Sequence, residues 1–298
     1  MRPPHTVSPL PGPPGKGERL WTLVFSAMLG IALVVILNVA GPWQIKGTAS
    51  NGTEVVNVDL SRILVDWSYY RGEDGMVVNE RNFLSVQAFM WVAMFVGLGE
   101  LWIRWRALKA ERSMLAAGLL PEDERTMLLA GELRPFYLKA RAFPNAQVLP
   151  VLVKRLAMDF RKSKSVDRAN GLLDSSLELM LHQLDLRYTL LRYVVWLIPT
   201  LGFVGTVIGI ANAMAFAGSG AVAPDALLTP TTQKLAVAFY TTLVALLQSG
   251  VLVLGMNAVQ AGEEGVINEA GQYCLENLVM RLMEPGQVEH LGTGGSPS

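Results

Sequence analysis

A chain of 298 residues that is 51% hydrophobic and only 17% charged carries more apolar side chain than one soluble core of its size buries, and its mean hydropathy is +0.34. Basic and acidic residues number 25 each, so the formal net charge is zero and nothing global points to nucleic acid. The single cysteine, Cys274, excludes an intramolecular disulfide framework and any multi-cysteine metal site, and reads as a small buried hydrophobe.

Residues 1–18 are rich in proline and glycine and read as a disordered tail. Trp21 to Ala40 follows without a charge, long enough to cross a hydrocarbon core of about 20 residues. This run is too long for the apolar part of a secretory signal, and Ala40-Gly41 leads into Pro42-Trp43 rather than a clean cleavage site. The loop 41–82 contains an alternating stretch, Val55 to Leu60, that suggests a short strand or hairpin. A second span runs from Phe83 to Trp102, broken only by Glu100 near its end, so that 19–103 forms a first membrane region. Residues 104–192 read as cytoplasmic helices broken near Pro121, Pro135, Pro144 and Pro150. From about Ser165 the apolar positions Leu173, Leu177, Met180, Leu184 and Leu191 recur at helical spacing straight into a third span at Tyr193 to Ala217. No glycine or proline separates Asp174 from Ile198, which predicts one unbroken helix rising into the membrane. The fourth span, Leu235 to Val259, is expected to continue as an amphipathic helix through Val266, Ile267, Tyr273 and Leu278, with 193–262 as the membrane pair and 263–298 as a cytoplasmic helix and disordered tail. The reading is therefore an all-α integral membrane protein of four transmembrane helices, the last two extended into the cytoplasm.

Orientation follows from lysine and arginine. Sixteen of the 25 lie in Arg104–Arg192, four lie in the 41–82 loop against six acids, and the loop Ser219–Thr232 has none. The positive-inside rule places the central segment and both termini in the cytoplasm. Trp21, Trp43, Trp102, Trp105, Tyr193 and Trp196 stand where interfacial aromatic belts belong.

Chemistry concentrates in spans three and four, where the apolar pattern is interrupted with regularity. Pro199, Gly202, Thr206 and Gly209 stand at i, i+3, i+7 and i+10, on one nearly bulk-free helix face. Gly205 and Gly209 add a small-xxx-small pair that admits a neighbouring helix. Pro199 removes a backbone hydrogen bond and leaves a carbonyl one turn earlier in need of a partner. Span four answers with Thr241, Thr242, Gln248 and Ser249, whose polar groups can turn to their own helix, a water, an ion or a carboxyl group. Glycine faces and threonines also serve as plain packing devices in membrane helices. Neither span holds an Asp, Glu, Lys, Arg or His, so any proton path needs a carboxylate from elsewhere.

The run Pro199 to Gly209, with Gly205-Thr206-Val207 at its centre, resembles the MotA/TolQ/ExbB proton-channel family, as does Ala236 to Leu243 with Thr241-Thr242. The resemblance covers about Asp185 to Ala261; Ala245 stands where members often have glycine, and Gln248-Ser249-Gly250 near a usual Ala-Ile-Pro. It implies a bacterial inner-membrane subunit, typically a pentameric ring around a dimer of single-span partners resembling MotB, TolR or ExbD. The partner's aspartate carries the proton, Thr206 and Thr242 face it, Thr241 lies beside them on the ion pathway, and Pro199 shapes the inner half of the path. Gly202, Gly205 and Gly209 serve helix packing. The surrounding partner is membrane lipid; no cofactor or metal is implied. The rival readings are a passive membrane scaffold, a self-contained transporter, for which no repeat or substrate-coordinating charge is visible, and an enzyme, for which no HExxH, P-loop or nucleophile elbow is present.

Overall fold

The computed structural model describes residues 16–40, 44–48, 54–59, 63–64, 67–71, 77–81, 85–116, 118–121, 123, 127–143, 147–219 and 227–284. Of the tail expected at 1–18, residues 1–15 lie outside these and Lys16 to Glu18 begin a helix instead, while the tail expected past Pro285 lies outside them. Among the described residues four helical stretches are long and apolar enough to cross a membrane: Gly17–Val39, Val86–Leu115, Val166–Gly218 and Lys234–Arg281. The chain forms two compact units, one of Glu18–Leu101 with Leu190–Met256, the other of Met1–Gly17, Trp102–Thr189 and Asn257–Ser298.

In the first unit, α1 (Lys16–Ala40) and the start of α2 (Val86–Leu115) flank the region 41–82. That region holds two antiparallel hairpins, β1 (Gln44–Thr48) with β2 (Glu54–Asp59), and β3 (Trp67–Arg71) with β4 (Val77–Arg81). The strand suggested by the alternation after Val55 is β2, and its ladder carries an irregularity between Ile45 and Lys46. The α1–α2 contact is close because Gly30 has no side chain: a Cβ there would lie 3.1 Å from the Phe95 Cβ. A Cβ on Gly99 would run into the Ser26 hydroxyl. The Arg19 guanidinium holds the buried Glu100 carboxylate through two hydrogen bonds, at 2.5 and 3.2 Å. Most of the remaining surface of α1, including Trp21, Phe25 and Met28, is exposed apolar side chain.

The two other helices of this unit come from α6 (Thr189–Gly218) and α7 (Leu228–Asn277). The helix entering the third span is not unbroken: α5 (Val166–Arg187) ends at Tyr188, and α6 starts at the next residue. No proline or glycine marks the break. Tyr188 is fully buried, its hydroxyl donating to Glu263 Oε2 at 2.9 Å and its ring lying 4.2 Å beneath the Arg104 guanidinium carbon. Tertiary contacts on one large side chain override the local helical preference there.

The second unit is built on an aliphatic core. Leu149, Leu152, Val153, Leu156 and Phe160 of α4 (Val148–Ser163) pack with Leu133 and Ala140 of α3 (Leu133–Arg141), Leu173 of α5, Ala270 and Cys274 of α7, and Leu278 just past its end. Pro135 and Pro150 each fall in the first turn of a helix, where the missing N–H has no intrahelical acceptor to lose. Beyond α7 a 3₁₀ turn, Val279–Arg281, buries Arg281, whose guanidinium donates to the Pro121 carbonyl at 2.8 Å, to Asn277 Oδ1 at 2.8 Å and to the Asp123 carbonyl. A neighbouring backbone pair, Leu128 N–H to Arg281 O at 2.7 Å and Met283 N–H to Leu128 O at 3.1 Å, secures the same strip.

Candidate functional site

The glycine face of α6 meets α7 at close range. A Cβ added to Gly202 would collide with the Ala245 Cβ; one on Gly205 would lie 2.5 Å from the Thr241 methyl, and one on Gly209 2.6 Å from the Ala238 Cβ. Ala238, Thr241 and Ala245 are spaced i, i+3 and i+7, the complementary small-residue row of α7. Thr206 shares the α6 face but remains half-buried, and its hydroxyl touches that of Thr242, which is half-buried as well.

Three backbone-directed contacts surround this hydroxyl pair. Thr206 Oγ1 lies 3.1 Å from the Gly202 carbonyl and 3.2 Å from the Ala238 carbonyl, and Thr242 Oγ1 donates to the Gly202 carbonyl at 3.0 Å. Two hydroxyls carry two hydrogens, fewer than these acceptors and the hydroxyl–hydroxyl contact could use together. Rotation about the Cβ–Oγ bonds therefore redistributes hydrogen bonds without moving either helix. Each oxygen also keeps lone-pair capacity on a partly open surface.

Thr241 belongs to a different neighbourhood. It is buried, its hydroxyl donates to the Val237 carbonyl at 2.9 Å, and its methyl fills the space above Gly205. Of the four residues singled out for the pathway, the structure thus brings Thr206 and Thr242 together and turns Thr241 inward. Gln248 is buried seven residues further along the same helix.

Pro199 sits inside α6, so the Val195 carbonyl four residues earlier lacks its helical donor. Ser249 of α7 supplies one, Oγ to O at 3.1 Å. The proline position foretold the orphan carbonyl; the donor became visible only in the fold. Replacing Ser249 with alanine should lower thermal stability by about 0.6–1 kcal/mol, the scale of one membrane hydrogen bond. Adding Pro199→Ala restores an N–H at position 199 and should recover that loss, read as the unfolding midpoint of the detergent-solubilised protein. A further drop in the double variant would refute the pairing.

A chain with four membrane-length helices, and a hydroxyl pair set in a small-residue contact between the last two, is a multi-pass membrane protein. Residues 144–270 match the model of the MotA/TolQ/ExbB proton channel family. The match is wider than the Asp185–Ala261 resemblance, taking in α4 and α5 as well as the threonine and glycine motifs. The family is one of proton channels of ion-driven, motor-like complexes and is not enzymatic. A search of curated proteins found no match to the chain.

Proposed function

We propose that this chain is the ring-forming channel subunit of an ion-driven motor complex in the bacterial inner membrane. Copies of it, five by family resemblance, surround a dimer of single-span partner helices resembling MotB, TolR or ExbD. The partner's aspartate carries the proton, and the proton-motive force becomes relative movement of the two components. The observation that supports this most directly is the half-buried Thr206–Thr242 pair.

The chemistry follows from hydrogen counting. A protonated aspartate is a donor and can hand its O–H to a threonine lone pair while both hydroxyls stay on backbone carbonyls. An ionised aspartate needs donors, and hydroxyl rotation away from the Gly202 or Ala238 carbonyl provides them. Both forms of the carboxyl group are thus served by the same two side chains, so its protonation can change at low cost. Exposed apolar side chains beside the pair, Phe203 and Val207 on α6 with Phe239 and Leu243 on α7, suit contact with lipid or with neighbouring subunits. The charge asymmetry supports cytoplasmic termini and a cytoplasmic 104–192 segment, with the end of α7 beyond Val259 extending on the same side.

A non-conducting scaffold uses the same packing and differs in having no need of the hydroxyls. Native mass spectrometry of the protein purified with its single-span partner tests the assembly. A pentamer holding two partner chains is the expected species; a stable monomer in the partner's presence would contradict the ring mechanism.

A further inference from the structure

The first turn of α2 carries a buried amide that the family motifs do not include. Gln87 is 1% exposed and is the second residue of the helix, whose start is capped by the Ser85 hydroxyl accepting the Ala88 N–H at 3.2 Å. Its Nε2 lies 3.3 Å from the Ile63 carbonyl and 3.4 Å from Thr241 Oγ1. A carboxamide nitrogen has two hydrogens, and here there are two acceptors for them. One turn further on, Trp91 Nε1 donates to the next loop carbonyl, Leu64 O, at 2.9 Å. Ile63 and Leu64 form a helical turn between the two hairpins, so consecutive carbonyls of the external loop are each held by a side chain of α2.

We propose that Gln87 is a positioning residue for the threonine pair, sharing one amide between the external loop and the helix that carries Thr242. The inference rests on the channel reading above. Thr241 is gripped on three sides: its hydroxyl hydrogen goes to Val237, its lone pair faces Gln87, and its methyl fits over Gly205. Adjacent residues on a helix point about 100° apart, so fixing Thr241 toward α2 sets the rotation of α7 that presents Thr242 to Thr206. The loop carbonyl holds the other hydrogen of the same nitrogen and so helps fix where the amide points. Displacement of the Ile63–Leu64 turn, by whatever the external loop binds, therefore alters the hold on Thr241 and the geometry of the pair beside it. The loop becomes an external control point on the ion site.

The test uses the full chain with its partner in intact membranes, and two independent readouts. Gln87→Leu keeps the volume and deletes the donor, and should cut ion flux at least threefold. Thr241→Val should do the same, Thr241→Ser should stay within twofold of wild type because it keeps the acceptor, and the Gln87→Leu, Thr241→Val double variant should be no slower than the slower single. Labelling of Leu64→Cys by an impermeant maleimide should speed up at least threefold in Gln87→Leu; the native Cys274 is buried in the other unit. Wild-type flux in Gln87→Leu, multiplying effects in the double variant, or unchanged labelling would each overturn the proposal. Full flux in a variant lacking the Thr206 and Thr242 hydroxyls is a different result, and it defeats the channel reading rather than the tether, on which the labelling rate still decides.

Discussion

A Thr206→Val, Thr242→Val double variant is expected to assemble with its partner at normal levels and to lose at least tenfold in proton flux or motor output. Valine matches threonine in shape and replaces only the hydroxyl. The bonds removed, to the Gly202 and Ala238 carbonyls, are intrahelical or interhelical membrane hydrogen bonds that average about 0.6 kcal/mol each. The α6–α7 packing within each chain rests on the close approach at Gly202, Gly205 and Gly209, which the substitutions do not touch, so each subunit should keep the shape it assembles with. Flux should respond differently because, on the proposed mechanism, it depends on the cost of switching the partner's carboxyl group between charged and neutral forms. Each pKa unit is worth about 1.4 kcal/mol, a factor of ten in population, and losing two potential donors to a carboxylate in a poorly solvated site shifts the balance by about that much or more. Thr206→Ser and Thr242→Ser keep the hydroxyls and should retain most of the flux. Undiminished flux and output in the double valine variant, with assembly intact, would leave the scaffold reading in place.

Gly202→Ala should be among the most damaging single-methyl changes in the chain. The added Cβ collides with the Ala245 Cβ and lies 3.4 Å from the Thr242 Cα, so the helices must separate where the threonine pair is formed. Overpacking of this kind costs about 1–3 kcal/mol, and a shift of a few tenths of an ångström is enough to break the Thr242 bond to Gly202 O. Lower thermal stability and reduced flux are expected together. Ala245→Gly, combined with it, returns the missing space and should restore at least half of the lost stability. Gly250→Ala serves as a control, since a Cβ there meets nothing within 4 Å. Equal damage from Gly250→Ala, or no recovery on removing the Ala245 methyl, would show that close approach at Gly202 is not the cause.

The parts of this architecture legible in the sequence are those governed by short-range periodicity. The face formed by Pro199, Gly202, Thr206 and Gly209 follows from helical spacing alone, and so does the orphan carbonyl that any internal proline creates. The β2 alternation was readable, whereas β3 and β4, with Trp67-Ser68-Tyr69-Tyr70 opposite Val78-Asn79-Glu80-Arg81, lack a clean polar–apolar alternation and were not. Contacts between distant positions stayed hidden. Gln87 looked like an ordinary polar residue at a helix start, because its acceptors lie 24 and 154 residues away. Arg281 looked like one more basic residue near the C-terminus; its burial against Pro121 and Asp123 depends on a turn that no local pattern announces. The break at Tyr188 is of the same kind, imposed by Arg104 and Glu263 on a sequence that by itself reads as continuous helix.

The Arg19–Glu100 pair bears on how the chain is made. The apolar run after Arg19 holds no charge and can partition from the translocon unaided, whereas the second hydrophobic segment carries a carboxylate that the insertion machinery penalises, by up to about 3 kcal/mol at mid-membrane and less near an end. The first helix emerges first and brings its guanidinium to the bilayer boundary where Glu100 will arrive. A partner for the Glu100 carboxylate is therefore already in the chain when the second hydrophobic segment is made.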